Sequence, residues 1–508
     1  MPIRERISAV DTAWLRMEHP TNRMMIVGVF MFKERLHFDQ MRTVLETRWL
    51  QFRRFRQKAV QDATGAWWVD DEDFDINDHL RKVRLPGKAG KKELENLVSR
   101  LASKGLDSSR PLWEFTLVEN YCGGSALIPR IHHCYADGIA LISVMLSLTG
   151  TSPAESLAMP KAGHERQRRN ETDFWTLVTQ PVEGVWSGVM KLTQFLRKHG
   201  AEITRDPAAV RDIALKGIDI VEELRKIALM ASDSPTRFKG PLGGAKRVAW
   251  ADPLPLSEVK IIGKALDCSV NDLLLATIAG ALRNYLAAQG DVTKGVELRA
   301  VVPVNLRRDP KAASLGNQFG LVFVELPVGV EDPLQRLSLV KERMQELKGS
   351  YQPIAAFLLL NAVGLGPKIL QDQVAKLIGR NATAVMTNVP GPQQSLYLAG
   401  KEIVELDFWV PQSGGVGMGV SILSYNGKVQ FGLMTDKELV PDPENIINRF
   451  GDEFEKLVLL TLMGRYGPEF ESEREKALDD PGYATLPEAS KPAARQTQKR
   501  IPKRFRKG

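Results

Sequence analysis

The 508 residues carry 69 Lys or Arg against 61 Asp or Glu, with 43% apolar and 26% charged residues. That length exceeds one ordinary core and predicts two domain-sized units, and the composition excludes a disordered or collagen-like chain. The net charge of +8 is a local property: eight Lys or Arg and no acid lie in 491–508, leaving 61 bases against 61 acids elsewhere. Such a tail either suits an anionic partner, lipid headgroups or nucleic acid, or is a solvated terminus. Three cysteines, Cys122, Cys134 and Cys268, form neither a disulfide framework nor a zinc pattern, which fits a reducing compartment. Nothing after Met1 to Arg6 reads as a secretory signal, and no run approaches the roughly 18 apolar residues of a spanning helix. The longest apolar segment, Ile354 to Gly366, is interrupted by Asn361.

In chain order, Met24 to Phe32 reads as a buried strand and Phe38 to Gln51 as a helix. Lys92 to Lys104 follows as a helix with Leu94, Leu97, Val98 and Leu101 on one face, then Trp113 to Val118 and Ala126 to His133 as strands. This mixture predicts an α/β layer structure. Periodicity lapses over 151–172, helical patterns cover about 173–199 and 207–231, and Gly240-Pro241-Leu242-Gly243-Gly244 closes the stretch. The second half repeats the mixture. Val270 to Ala287 is an apolar helix capped by Ser269 or Asn271, Leu298 to Val304 and Phe319 to Leu326 read as strands, and Val416 to Leu423 with Val429 to Thr435 forms a hairpin about Tyr425-Asn426-Gly427. Ile446 to Leu462 is a closing amphipathic helix, and beyond Gly467 disorder is expected.

All seven histidines precede residue 200, and two are adjacent in Ile131-His132-His133-Cys134-Tyr135-Ala136-Asp137-Gly138. On a strand, neighbours point to opposite faces, so His132 and His133 do not share one metal or one proton. That argues against zinc, whose ligands are spaced differently, and for one imidazole as a general base. The plainer alternative is a pair of satisfied core histidines. Cys134 is a conceivable nucleophile, but strand alternation turns it from the His133 face and makes a small buried residue its default role. Pro129 cannot donate to a ladder, which predicts an edge strand or a bulge before His133. Gly414 to Gly419 superficially suggests a phosphate loop, yet no Lys-Ser/Thr follows it, and close backbone packing is the better reading.

The segment His132 to Gly138 matches the HHxxxDG signature of the CoA-dependent acyltransferase superfamily. More narrowly, the chain resembles the bacterial wax ester synthase/acyl-CoA:diacylglycerol acyltransferases. Supporting segments are Pro111-Leu112-Trp113, Ser269-Val270-Asn271-Asp272, Pro303-Val304-Asn305-Leu306-Arg307, Gly316-Asn317-Gln318-Phe319-Gly320 and Asn388-Val389-Pro390-Gly391-Pro392. Their order and spacing fit from about Ile7 to Leu462.

The resemblance implies an α/β fold of two chloramphenicol-acetyltransferase-like halves with mixed sheets, joined by a long helical crossover, with an active-site tunnel at their interface. The expected boundaries are 1–150, a crossover at 151–245, 246–466, and a disordered basic tail at 467–508. The catalytic residues so implied are His133 as base, with His132, Asp137 and Asn271, the last as an oxyanion donor. Gly138, Asp272 and Arg307 would be structural, with Arg307 pairing Asp137. No substrate-binding residue, metal or cofactor is assigned; acyl-CoA is a co-substrate. The implied reaction moves a long-chain acyl group from acyl-CoA to a fatty alcohol or diacylglycerol without a covalent intermediate. Alternatives are a condensation-type enzyme fed by a carrier protein and a non-catalytic lipid-body coat. Expected partners are these substrates and a membrane or lipid-body surface met from the cytoplasm, not nucleic acid.

Overall fold

The apolar run of the N-terminal part becomes a strand buried at every position because it is central in its sheet. In the computed structural model, which describes residues 4–62, 65–135, 138–158, 222–306 apart from 224 and 228, 319–347, 350–365, 368–412 and 414–464, that strand is Met25–Phe32. The first elements are β1 (Arg4–Arg6), α1 (Ala9–Met17), β2 (Met25–Phe32), α2 (Phe38–Val44), β3 (Gln57–Asp62), β4 (Gly65–Asp70), β5 (Leu80–Val83), α3 (Lys91–Ser103), β6 (Trp113–Val118), β7 (Ser125–His132), α4 (Gly138–Ser147) and α5 (Pro153–Leu157). After α2 the chain continues as a π-helix over Leu45–Trp49, covering much of the predicted Phe38 to Gln51 helix.

The later elements are β8 (Lys246–Trp250), β9 (Leu254–Pro255), α6 (Leu256–Ala265), α7 (Val270–Ala288), β10 (Leu298–Asn305), β11 (Phe319–Leu326), α8 (Pro333–Leu347), α9 (Gln352–Leu365), α10 (Lys368–Asn381), β12 (Ala384–Pro390), β13 (Leu396–Leu398), β14 (Lys401–Trp409), β15 (Met418–Tyr425), β16 (Lys428–Asp436) and α11 (Glu444–Gly464). The expected crossover helices before 222 and the expected tail lie outside the described residues. One compact unit covers Met1–Thr461; of a second, Leu462–Gly508, only 462–464 is described.

Two mixed sheets organise the larger unit. The first runs β13-β14-β2-β7-β6-β5, antiparallel except for β5 beside β6. The second runs β11-β10-β12-β15-β16-β8, with β12 parallel to both of its neighbours and β9 added beside β16. A small sheet, β1-β4-β3, stands apart. The strands β13 and β14 come from beyond residue 390 yet extend the first sheet, with Trp409 opposite Val27. The predicted hairpin forms with Asn426 and Gly427 both at positive φ, 48° and 71°, the backbone of a two-residue turn matched to strand twist.

Pro129 corrects an expectation. It sits inside a central strand, not at an edge, and β7 keeps one register against β2 from Met25–His132 to Phe32–Ser125. Space comes from the opposing strand: a Cβ on Gly28 would stand 3.1 Å from Pro129 Cγ. Close packing accounts for Gly414, Gly417 and Gly419, where a Cβ would overlap the Ala375 carbonyl on α10, Leu439 and Gln412, whereas Gly415 has open space and a φ of 88°.

The core joins both sheets. α7 is buried on almost every face beneath the second sheet, whose opposite face contributes Val301, Phe323, Val385 and Leu423 to the cluster that fills the first half. α3 packs on the first sheet and also covers the free edge of β8. Trp250 N donates to Glu95 Oε1 at 3.3 Å, Val248 N to Ser99 Oγ at 2.9 Å and Lys246 N to Ser103 Oγ at 2.8 Å. Lys91 Nζ continues the series to Asp252 at 2.8 Å. The match is geometric: four helical residues rise about 6 Å and two strand residues about 6.7 Å. Ser99 and Ser103 direct their own protons to the carbonyls of Glu95 and Ser99, leaving oxygen lone pairs for the strand. An edge that would otherwise invite pairing is thereby closed.

Candidate active site

The two histidines are fixed from both sides by neighbouring strands. His132, the last residue of β7, donates its backbone N–H to Leu112 O at 2.9 Å; His133, the first residue of the turn, donates to Met24 O at 2.8 Å. The predicted strand to His133 therefore ends one residue earlier, and His133 is aimed by the turn. Pro111-Leu112-Trp113 braces this turn: Leu112 N donates to Tyr135 Oη at 3.0 Å, and that hydroxyl donates to Gln57 O at 2.9 Å. Trp113 Nε1 donates to Phe55 O at 2.8 Å.

His132 is an acceptor at Nδ1, taking the Cys134 backbone N–H at 3.1 Å, which leaves the ring proton on Nε2. Glu18 Oε2 lies 3.7 Å from that nitrogen, while the same carboxylate accepts the Met24 N–H. Burial, reinforced by the adjacent His133, pushes the His132 pKa down to about 3, so the ring is neutral at ordinary pH. Cys134 is fully buried in the turn, not on a strand, and burial pushes its thiol well above the usual range. That opposes a thiolate nucleophile.

His133 packs among aromatic and aliphatic groups from both parts of the chain. Trp14 of α1 lies over it with ring centroids 4.3 Å apart, and Phe319 of β11 meets it edge-on at 5.8 Å. Val10, Met24 and Leu360 complete the buried cluster, with Met17, Leu321 and Phe357 packed against it. α9 thus contributes Phe357 and Leu360 from the Ile354 to Leu365 segment, while Leu358 is 47% exposed. The ring is only 4% exposed. An imidazole standing open to a tunnel was expected; among the described residues it is instead covered, because Trp14 and Phe319 close over it.

The remaining predicted residues are dispersed. Asn271 lies in the first turn of α7, where its Oδ1 accepts Asn388 Nδ2 at 2.7 Å, joining two of the recognised segments. Among the described residues no contact links Asn271 to His133. Asp272 is buried in a capping box: Ser269 N donates to Asp272 Oδ2 at 3.0 Å and Asp272 N to Ser269 Oγ at 3.1 Å. Ser269, not Asn271, is the cap. Gly138 opens α4, and Asp137 and Arg307 lie outside the described residues. Trp14 was not singled out from sequence, since a lone Trp on a short helix carries no motif. Phe319 stood within a recognised segment without an assigned role. A Cβ on its neighbour Gly320 would overlap the Pro353 carbonyl, so glycine there lets α9 approach.

A family model described as the wax ester synthase/diacylglycerol acyltransferase catalytic domain matches residues 7–274, and the WS/DGAT C-terminal domain matches 315–458. The chain belongs to the wax ester synthase/diacylglycerol acyltransferase family. As a member of this family it is an acyltransferase. A Mycobacterium tuberculosis protein described as a probable diacylglycerol O-acyltransferase is 27% identical over 407 residues, 79% of this chain and 83% of the relative. A second M. tuberculosis protein named for the same activity is 26% identical over 474 residues, covering 89% of this chain and 90% of its own. The solved wax ester synthase/diacylglycerol acyltransferase of Marinobacter aquaeolei superposes with a TM-score of 0.63 at 21% identity, over 90% of this chain and all of that one. A variant starter condensation domain of rhizomide synthetase, in complex with C8-CoA and Leu-SNAC, gives 0.53 at 12% identity, over 90% and 94%. At these identities the two structures establish the shared α/β fold of this acyltransferase family.

Proposed function

We propose that the chain transfers a long-chain acyl group from acyl-CoA to a fatty alcohol or a diacylglycerol, with His133 as general base. The observation that carries this reading is the position of His133, an imidazole covered by apolar side chains of α1, β11 and α9 and by Met24 just before β2. Such surroundings suit acyl chains and exclude water from a thioester. His133 takes the proton of the acceptor hydroxyl as its oxygen attacks the thioester carbonyl. The tetrahedral intermediate then collapses, releasing CoA sulfur, and the imidazolium returns the proton to that sulfur. An ester and free CoA result, with no acyl-enzyme and no cofactor. Asn271 is the proposed oxyanion donor, and an Asp137–Arg307 pair would brace the loop. Substrate access requires displacement of Trp14 or Phe319.

Among the described residues no single helix is long and apolar enough to cross a membrane. Leu358 on α9 and Ile369 on α10, 47% and 74% exposed, offer apolar contacts on helices next to the His133 cluster. They support peripheral contact with a lipid surface from the cytoplasm.

Thiol release from palmitoyl-CoA, compared with hexadecanol, a diacylglycerol and a short alcohol as acceptors, tests the reading. His133→Ala is expected to lower kcat about 10²- to 10⁴-fold with the fold retained by circular dichroism. Unchanged turnover in that variant would sink the base assignment, and activity only with a carrier-bound acyl group would overturn the donor.

A further inference from the structure

Trp14 brings more than an apolar face to the imidazole. Its side chain is buried, 6% exposed, and its indole Nε1 has no hydrogen-bond partner. A buried donor left unpaired is costly. Trp113 avoids that cost by donating to Phe55 O at 2.8 Å. Trp49 and Trp409 share the unpaired donor, but they pack against Phe55 and Trp250 rather than a histidine. Among the described residues Trp14 is the tryptophan that both leaves Nε1 unpaired and meets His133, with ring centroids 4.3 Å apart.

The indole is fixed relative to that imidazole. Glu18, which ends α1, accepts the Met24 backbone N–H, and the Met24 carbonyl accepts the His133 N–H at 2.8 Å. Arg23 holds the same carboxylate at 3.0 Å, and Ser8 caps the helix by accepting the Asp11 N–H at 3.1 Å. The helix and the His133 turn are therefore tied through one residue, and the two rings form a preorganised pair. Phe319, the other ring over His133, stands on β11, the edge strand of the second sheet.

Acyl transfer at this point creates the missing acceptor. A hydroxyl giving its proton to His133 lies about 3 Å from the imidazole, and the carbonyl it attacks is the next group beyond it. Negative charge gathers on the carbonyl oxygen, yet Val10, Met24, Phe319 and Leu360 supply no side-chain donor. Asn271 has its Oδ1 engaged by Asn388 and makes no contact with His133 among the described residues. The hydroxyl oxygen is committed to the base and a thioester sulfur is a weak acceptor, which leaves the carbonyl oxygen as the strongest partner for an N–H. We propose that Trp14 Nε1 donates a hydrogen bond to the thioester carbonyl oxygen and stabilises the oxyanion formed there. As the new C–O bond closes, the carbonyl π pair moves onto that oxygen; it returns as the C–S bond breaks, and the indole keeps its proton throughout. Phe319 is then the ring displaced to admit substrate, and Trp14 stays in place. The inference rests on the acyl-transfer reading and adds a catalytic residue to it.

Thiol release from palmitoyl-CoA with hexadecanol, measured in two variants, tests it. Replacing Trp14 by benzothienylalanine exchanges the N–H for sulfur at nearly constant shape, and Trp14→Phe removes the N–H while keeping an aromatic face on His133. Each is expected to lower kcat about 10- to 100-fold, with KM for palmitoyl-CoA changed by less than about threefold and the wild-type circular dichroism spectrum retained. A packing role alone gives a different pattern, in which the benzothienyl protein matches the wild type and the smaller Phe loses activity. That pattern, or wild-type kcat in both variants, overturns the proposal, and the benzothienyl protein decides the matter if Trp14→Phe disturbs folding. His133→Ala in the same assay separates the two claims. Loss of turnover in His133→Ala beside a fully active benzothienyl protein removes the donor and leaves the base standing, whereas wild-type turnover in His133→Ala removes the reading on which both rest.

Discussion

The two sheets are joined at two apolar clusters that differ in the polar groups built into them. Around His133 the junction is apolar, with Trp14, Met24, Phe319 and Leu360 in contact. Along α3 and β8 an apolar cluster of Leu94, Leu97, Val98, Val248 and Trp250 is combined with a polar ladder, in which Glu95, Ser99 and Ser103 take strand N–H groups, with Asp407 buried nearby on β14. The first lays aromatic side chains from two distant parts of the chain against the imidazole of His133. The second holds two elements in register, since only one alignment satisfies every strand donor. Proximity of the halves alone therefore does not set their alignment: the ladder on β8 fixes a register that apolar packing by itself leaves open.

The sharpest test removes the apolar junction. Trp14→Ala is expected to cost about 3–5 kcal/mol of stability, by chemical denaturation, because a buried indole leaves a cavity. That loss should be nearly the same at pH 7 and pH 9. A loss that varied strongly over that range would break the contrast.

The polar seam should instead respond to pH. Burial pushes the Asp407 pKa up to about 8, and neither carboxylate oxygen has a hydrogen-bond partner. Glu95 is likewise raised by burial, to about 7, against the opposing Trp250 N–H. Their folded pKa values exceed the unfolded ones, so between about pH 4 and pH 8 the native state holds more protons than the unfolded chain, and stability falls as pH rises. Asp407→Asn is expected to flatten that fall and to stabilise the protein by a few kcal/mol above pH 8, read as melting temperature against pH. A wild-type slope retained in the variant would remove Asp407 from the account. His132 acts with the opposite sign: its folded pKa lies below the unfolded value of about 6.5, so its contribution is full above that pH and is lost as pH falls towards 3.

Smaller effects sharpen the register argument. Ser99→Ala and Ser103→Ala each orphan one strand N–H and should cost about 1–3 kcal/mol in denaturant unfolding. Hydrogen exchange at Val248 or Lys246 should rise in the matching variant only. Faster exchange spread evenly over β8 would mean that the ladder is not read residue by residue. Gly28→Ala, which pushes a methyl towards Pro129, is expected to cost about 1–2 kcal/mol.

Much of the site was legible because its markers are local. His132-His133, the Ser269 cap, the Asn426-Gly427 turn and the strands Trp113–Val118 and Phe319–Leu326 follow from neighbouring residues and periodicity. The face 95, 99, 103 of α3 is likewise visible at helical spacing, but nothing nearby in the chain says that it meets residues 246–250. The burial expected of Cys134 holds, although the strand ends at His132 and a turn carries it, and Pro129 misled because its accommodation lies in Gly28, about a hundred residues earlier.

By itself the sequence determined the family and the helices and strands whose patterns close within a few turns. Tertiary structure decided that β13 and β14 join the first sheet, that Trp14 and Phe319 cover His133, and that α3 closes the free edge of β8. The division has a physical cause. Local periodicity fixes which face of an element is apolar, whereas the identity of the surface it buries against depends on contacts between residues hundreds of positions apart.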